Sequence, residues 1–132
     1  MEQYLLDTNT CIYLFKGRYN IADKIIRVGE SNCRISEITV AELKFGVERS
    51  QDPDVQRAAL DTFLKRIEVV PIFNSLDVYA KEKARLRKAG LIIDDFDLLI
   101  GATAVANGWT LVTNNEKHLA RLDGIVIENW AR

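Results

Sequence analysis

Gln3-Tyr4-Leu5-Leu6-Asp7-Thr8-Asn9 is a short apolar run that stops at three residues favoured as helix caps. Together they specify a buried first strand whose end passes directly into a helix. The same alternation then recurs along the chain. Cys33–Ile38 reads as a second strand and Thr39–Arg49 as the helix after it. Asp52-Pro53 supplies an N-cap and a proline at the first helical position, and Leu60, Phe63, Leu64 and Ile67 follow at helical spacing. Ile67–Ile72, rich in β-branched residues, reads as a third strand. Ser75 caps a helix that carries Leu76, Tyr79, Ala80 and Leu86 on one face and closes at Gly90. Another helix begins near Asp95 and runs through Phe96, Leu99, Ile100 and Ala104 to Asn107-Gly108. Thr110–Thr113 is a fourth strand, Asn115–Leu122 a short helix and Ile125–Glu128 a closing strand. Strands separated by helices imply right-handed crossovers and a mainly parallel sheet of four to five strands, covered on both faces. The fold class is α/β.

A chain of 132 residues fits one domain, residues 1–132, and its 48% apolar content sustains one ordinary core. It holds neither a long apolar run nor a basic start followed by an apolar stretch, so it reads as soluble, cytoplasmic and without a membrane partner. Cys11 and Cys33 sit in apolar stretches without metal-ligand spacing, as small core residues of a reducing compartment do. The net charge of −1 excludes a binder that works by an overall basic excess. A nucleic-acid substrate would have to be met by local basic patches or through a partner.

In open sheets of this kind, ligands gather outside the carboxyl ends of the strands. Asp7 ends the first strand, and Asn114, Asn115 and Glu116 lie just past the fourth. Glu42 and Asp97 fall in the first turns of helices that start from the same edge. Each has a plainer reading. Asp7 suits an N-cap. Thr39-Val40-Ala41-Glu42 matches a capping box, in which the glutamate reaches back to the cap amide. Acids at Asp94, Asp95 and Asp97 suit a positive helix N-terminus. Three acids in four residues exceed what capping needs, however, and Asp97, nearest the apolar face, is the one expected to turn inward. His118, the only histidine, reads as an ordinary surface residue. Carboxylates from several segments suit a hard divalent cation and phosphodiester hydrolysis. No cysteine–histidine cluster exists for zinc, and no glycine-rich phosphate loop is present.

Five stretches in order carry a resemblance: Leu5-Leu6-Asp7-Thr8-Asn9-Thr10, Ile38-Thr39-Val40-Ala41-Glu42-Leu43, Phe96-Asp97-Leu98-Leu99-Ile100-Gly101-Ala102-Thr103-Ala104, Leu111-Val112-Thr113-Asn114-Asn115 and Glu128-Asn129-Trp130. Over essentially its whole length the chain resembles the PIN domain, and within it the VapC-type toxins of bacterial toxin–antitoxin pairs. The resemblance implies a PIN-like α/β/α sandwich and an endoribonuclease dependent on Mg2+ (or Mn2+). It also implies a homodimer silenced by a VapB-like antitoxin, with operator DNA engaged only through that antitoxin. Asp7 and Asp97 match the family's metal-binding aspartates and Glu42 its glutamate. Where the family often has a fourth acid, Asn114 and Asn115 are neutral, Glu116 is the nearest acid, and His118 stands where an acid or histidine is common. The resemblance further implies a structured RNA substrate, with tRNA the leading expectation.

Lys16, Arg18 and Arg49 lie nearest the expected catalytic edge and are the candidates for RNA phosphate contact, with Asn115 beside them. The denser run Lys81, Lys83, Arg85, Arg87 and Lys88 could also meet RNA phosphates, and its plainer reading is a solvated helix face. Ile12, Leu14, Phe15, Ile25 and Ile26 exceed what one small sheet needs and suit a groove for an amphipathic antitoxin helix. An aspartyl-phosphate phosphatase also begins with a strand and an aspartate, but it needs a second acid two positions on, where this chain has Asn9. A receiver-type phosphoacceptor finds no matching acid pair and late lysine. The remaining alternative is a PIN fold without catalysis, serving as an RNA-binding or assembly scaffold.

Overall fold

Every residue from Met1 to Arg132 is described by the computed structural model. Strand β1 (Tyr4–Leu6) is buried at each residue and lies at the centre of the sheet, as an apolar run without polar alternation requires. Helices α1 (Thr8–Phe15) and α2 (Ile21–Val28) follow, joined by a tight turn in which Gly17, Tyr19 and Asn20 all have positive φ. Strand β2 (Cys33–Ser36) leads into α3 (Glu37–Glu48), then α4 (Pro53–Leu64), β3 (Glu68–Val70), α5 (Leu76–Lys88) and α6 (Asp95–Asn107). Strand β4 (Thr110–Val112), the short α7 (Glu116–Leu119) and β5 (Val126–Glu128) complete the chain.

All four strand pairings are parallel, and the order across the sheet is β3-β2-β1-β4-β5. Winding runs outward from β1 to β3, then jumps back to β4 and proceeds the other way. The switch point therefore lies between β1 and β4, where ligand crevices form in doubly wound sheets. Successive side chains of β1 serve opposite faces. Tyr4 and Leu6 join Ile21, Ile25, Leu43 and Leu60 on one side, while Leu5 joins Leu86, Leu98, Ile100 and Leu119 on the other. No helix is long and apolar enough to cross a membrane.

Three local expectations give way. The second strand stops at Ser36, which pairs with Val70 at the end of β3, and the Ser36 hydroxyl accepts from the Ile38 amide at 3.0 Å. The helix thus starts at Glu37 rather than Thr39, so Glu42 lies in its second turn and closes no capping box. Ser75 precedes α5 but its side chain caps nothing. A 3-10 turn over Phe73–Ser75 already carries near-helical backbone there, and the buried Ser75 hydroxyl has no hydrogen-bond partner. The last helix is shorter than expected, ending at Leu119.

Candidate active site

Asp7 continues the central ladder by one residue, its amide donating to Val112 O at 3.0 Å. The chain then turns into α1, and Asp7 Oδ1 accepts from the Thr10 amide at 2.8 Å. The capping reading of Asp7 is therefore correct, and it does not exclude a second role. The residue is buried yet lines an open cleft. Burial pushes its carboxyl above the ordinary value, against hydrogen bonds from Thr113 and Thr10.

That cleft, of about 690 Å3, also takes in Thr8, Glu42, Arg49, Asp94 and Asp97. Glu42 arrives from α3, where the Thr8 hydroxyl donates to its Oε1 at 2.6 Å and lies 3.1 Å from the Thr39 hydroxyl. Asp97 arrives from the first turn of α6, whose N-cap is Asp94, accepting from the Phe96 amide at 3.2 Å. Its carboxyl is pushed up to about 6, first by burial and then by the negative charges of Asp94, Glu42 and Asp7. Three acids far apart in sequence thus repel one another across one hollow. Asp95 takes no part: it accepts from Lys83 and Tyr79, both at 2.8 Å, on the flank of α5.

Asn115 joins this group, donating from Nδ2 to Asp97 Oδ2 at 3.4 Å. Its Oδ1 faces His118 Nδ1 at 2.8 Å, so the histidine read as an ordinary surface residue stands one amide away from Asp97. The spacing of Asn115 and His118, one helical turn apart, was the available signal. Glu116 is placed differently from its expectation as the fourth acid. Its Oε2 accepts from Asn129 Nδ2 at 3.0 Å and lies 3.7 Å from Arg132 Nη2, and it does not line the cleft. Residue 116 begins α7 on the side that faces the segment after β5, and that segment supplies its partners.

Among the basic candidates, Arg49 lines the cleft with its guanidinium 5.4 Å from the Phe45 ring centroid. Lys16 and Arg18 do not line it. Arg18 instead lies over Tyr13 and Tyr19, at 5.9 and 5.3 Å, and Tyr13 accepts from Asn114 at 2.8 Å. On the basic face of α5, Lys83 and Arg85 are committed to Asp95 and Glu82.

The acids form no ready-made cage: no three His, Cys, Asp or Glu side chains stand close enough together to hold a metal ion unaided. The donor set is nonetheless all oxygen, and Mg2+ typically needs only one or two carboxylates because it keeps several waters. A divalent cation would also offset the negative charges that add to the effect of burial on Asp97. The residues present fit such an ion.

Away from the cleft, Leu14, Phe15, Ile25 and Ile26 line a groove of about 340 Å3 between α1, α2 and α4, with Phe63 opposite and Glu30 and Arg66 at its rim. Ile26 is 74% exposed there. Ile12, grouped with these residues in sequence, lines the acidic cleft instead.

Residues 4–125 match the PIN domain. Ribonuclease VapC2 of Rickettsia felis is 36% identical, covering 96% of this chain and 97% of that protein. The tRNA(fMet)-specific endonuclease VapC of Salmonella typhimurium is 32% identical, covering 98% of this chain and 99% of that one. Among solved structures, VapBC2 from Rickettsia felis bound to a DNA fragment from their promoter superposes with a TM-score of 0.90, at 35% identity over 96% of this chain and 98% of that one.

Proposed function

Because this chain belongs to the PIN-domain family, we propose that it is an endoribonuclease, the toxin of a toxin–antitoxin pair, cutting structured RNA with tRNA foremost. The observation that carries this reading is the convergence of Asp7, Glu42 and Asp97, from three separate elements, at the β1/β4 switch point. Asp7 and Asp97 would hold a divalent cation, Mg2+ or Mn2+, with Glu42 beside them. When bound, the ion supplies charge neutralisation at the scissile phosphate and a water of lowered pKa. The chain's own residues do the positioning. Thr8 fixes the Glu42 carboxylate, Asn115 steadies Asp97, and Arg49 meets phosphate at the cleft mouth.

The partner would be a VapB-like antitoxin. Its amphipathic helix fits the apolar groove beside Ile25 and Ile26, and an arginine or lysine from it could enter the acidic cleft. The Rickettsia felis relative was solved as VapBC2 bound to a DNA fragment from their promoter, which supports DNA contact by such a pair, and contact through the antitoxin is proposed on the family resemblance. A homodimer is proposed on the family resemblance.

The test is cleavage of total bacterial RNA by purified, partner-free protein with Mg2+, Mn2+ or chelator, beside an Asp7→Asn variant. Discrete fragments that require metal and vanish in the variant are expected. A folded protein that cuts nothing under any condition would leave the scaffold reading, which the engagement of Glu116 with Asn129 favours.

A further inference from the structure

Asp97 stands on the ridge between two hollows. On one side is the cleft of about 690 Å3, walled by Phe45 of α3 and Phe96 of α6. On the other is a hollow of about 340 Å3, lined by Ile92, Ile93, Asn115 and His118. Asp94 and Asp97 are the residues common to both.

An endonuclease cuts an internal bond, so its substrate continues on both sides of the scissile phosphate. Two hollows that share Asp94 and Asp97 offer a seat to each flanking nucleotide. The apolar side chains around them are otherwise hard to account for. Phe45 is 65% exposed, Phe96 47% and Ile92 77%, all beside an acidic site. Exposed rings next to carboxylates that would hold a divalent cation suit a ligand that is flat and apolar on one face and anionic along its spine. Every base has a π-face, which makes stacking tolerant of sequence. The Arg49 guanidinium covers one face of the Phe45 ring, 5.4 Å from its centroid, which leaves the opposite face for a base and sets a cation within the same cleft. In the other hollow, His118 shares Nδ1 with Asn115 and keeps Nε2 for an edge hydrogen bond, with the apolar Ile92 in the same lining.

We propose that the RNA strand crosses Asp97 with the two nucleotides flanking the cut seated in these hollows, one base against Phe45 and the other against Ile92 and His118. This rests on the ribonuclease reading. Phe45 and His118 act as positioning residues that fix which bond lies over the acids.

The test uses the RNA whose cut site the total-RNA experiment maps, remade with a single abasic residue on one or the other side of the cut. Each abasic RNA should be cleaved about tenfold more slowly by the unaltered protein, within the range that base–aromatic stacking supplies. In Phe45→Ala, one of the two abasic substitutions should cost nothing further, and in His118→Ala the other. Phe45→Trp, which keeps a flat ring, should retain the full abasic penalty. Losses that multiply in both variants would overturn the proposal, since base and side chain would then act independently. So would conversion of a dimer to a monomer by Phe45→Ala at assay concentration, because the ring would then belong to a protein interface. Failure of the underlying reading looks different: RNA is still cut by Asp97→Asn, or is not cut at all.

Discussion

Thr8 and Glu42, 34 positions apart, are joined by a hydrogen bond of 2.6 Å from hydroxyl to carboxylate, which ties the first turn of α1 to the second turn of α3. Charge-assisted bonds of this kind are short and strong. Glu42 is thereby held by a residue that carries no charge of its own and adds none to a crowded acidic cleft. Thr8→Val keeps the shape and removes the donor. It should cost about 1 kcal/mol of stability. Cleavage should slow about tenfold to a hundredfold, mostly in kcat, because the carboxylate loses its fixed aim. Thr8→Ser should behave as the unaltered protein. Single-turnover kinetics beside denaturant titration check this, and an unslowed Thr8→Val would mean that other contacts aim Glu42.

Asp97 gives the pH dependence of the metal-free protein. Its carboxyl rises from 3.8 to about 6 on folding, through burial and the charges of Asp94, Glu42 and Asp7. The folded state thus resists ionisation of this group. The penalty is absent below the unfolded value, grows as pH climbs through the interval and is complete above the folded value. Asp97→Asn should therefore raise the melting temperature above pH 6 by about 2–5 °C. The two proteins should converge near pH 4. Calorimetry after chelation, across that interval, reads the difference directly, and a constant offset at all pH values would refute the assignment.

Arg49 should matter more to RNA than Lys16 or Arg18, since it alone of the three lines the cleft. Arg49→Ala should weaken binding and reduce the slope of log affinity against log salt by about one charge. Lys16→Ala and Arg18→Ala should change the slope less. Fluorescence anisotropy of labelled RNA at several salt concentrations, in the inactive Asp7→Asn background, is the measurement. Equal losses at all three positions would indicate a wider electrostatic footprint.

Ile26 separates partner binding from catalysis. It is exposed in the apolar groove and remote in sequence and structure from the acids. Ile26→Asp should abolish capture of a co-expressed antitoxin while leaving RNA cleavage by the free protein within about twofold, as expected for a surface change away from a site. Retained capture would move the antitoxin to another face.

Much of this architecture was legible in the residues. β1 and β4 are apolar runs ending at Asp7 and Thr113, and such runs can be buried only in the middle of a parallel sheet. The ends of elements were less legible. Ser36 and Thr39 are both acceptable caps, and the choice between them is made by where β3 stops pairing with β2, a contact between distant segments. That choice also removed the capping-box reading of Glu42. Glu116 was the nearest acid along the chain, but its direction is set by Asn129, which only the return of β5 brings alongside. His118 carried a helical spacing to Asn115, yet nothing local tied Asn115 to Asp97.

Asp7 ends a strand, begins a helix and faces the cleft with one carboxylate, and this shapes how such a gene would decay. Replacement by a bulky or aliphatic residue would remove the cap together with the charge, the cap alone being worth about 1 kcal/mol. Replacement by asparagine keeps an oxygen for the Thr10 amide, so the silenced protein would fold and still present its groove. On the toxin reading, a cell carrying one silent and one active copy would then hold a decoy that absorbs inhibitor.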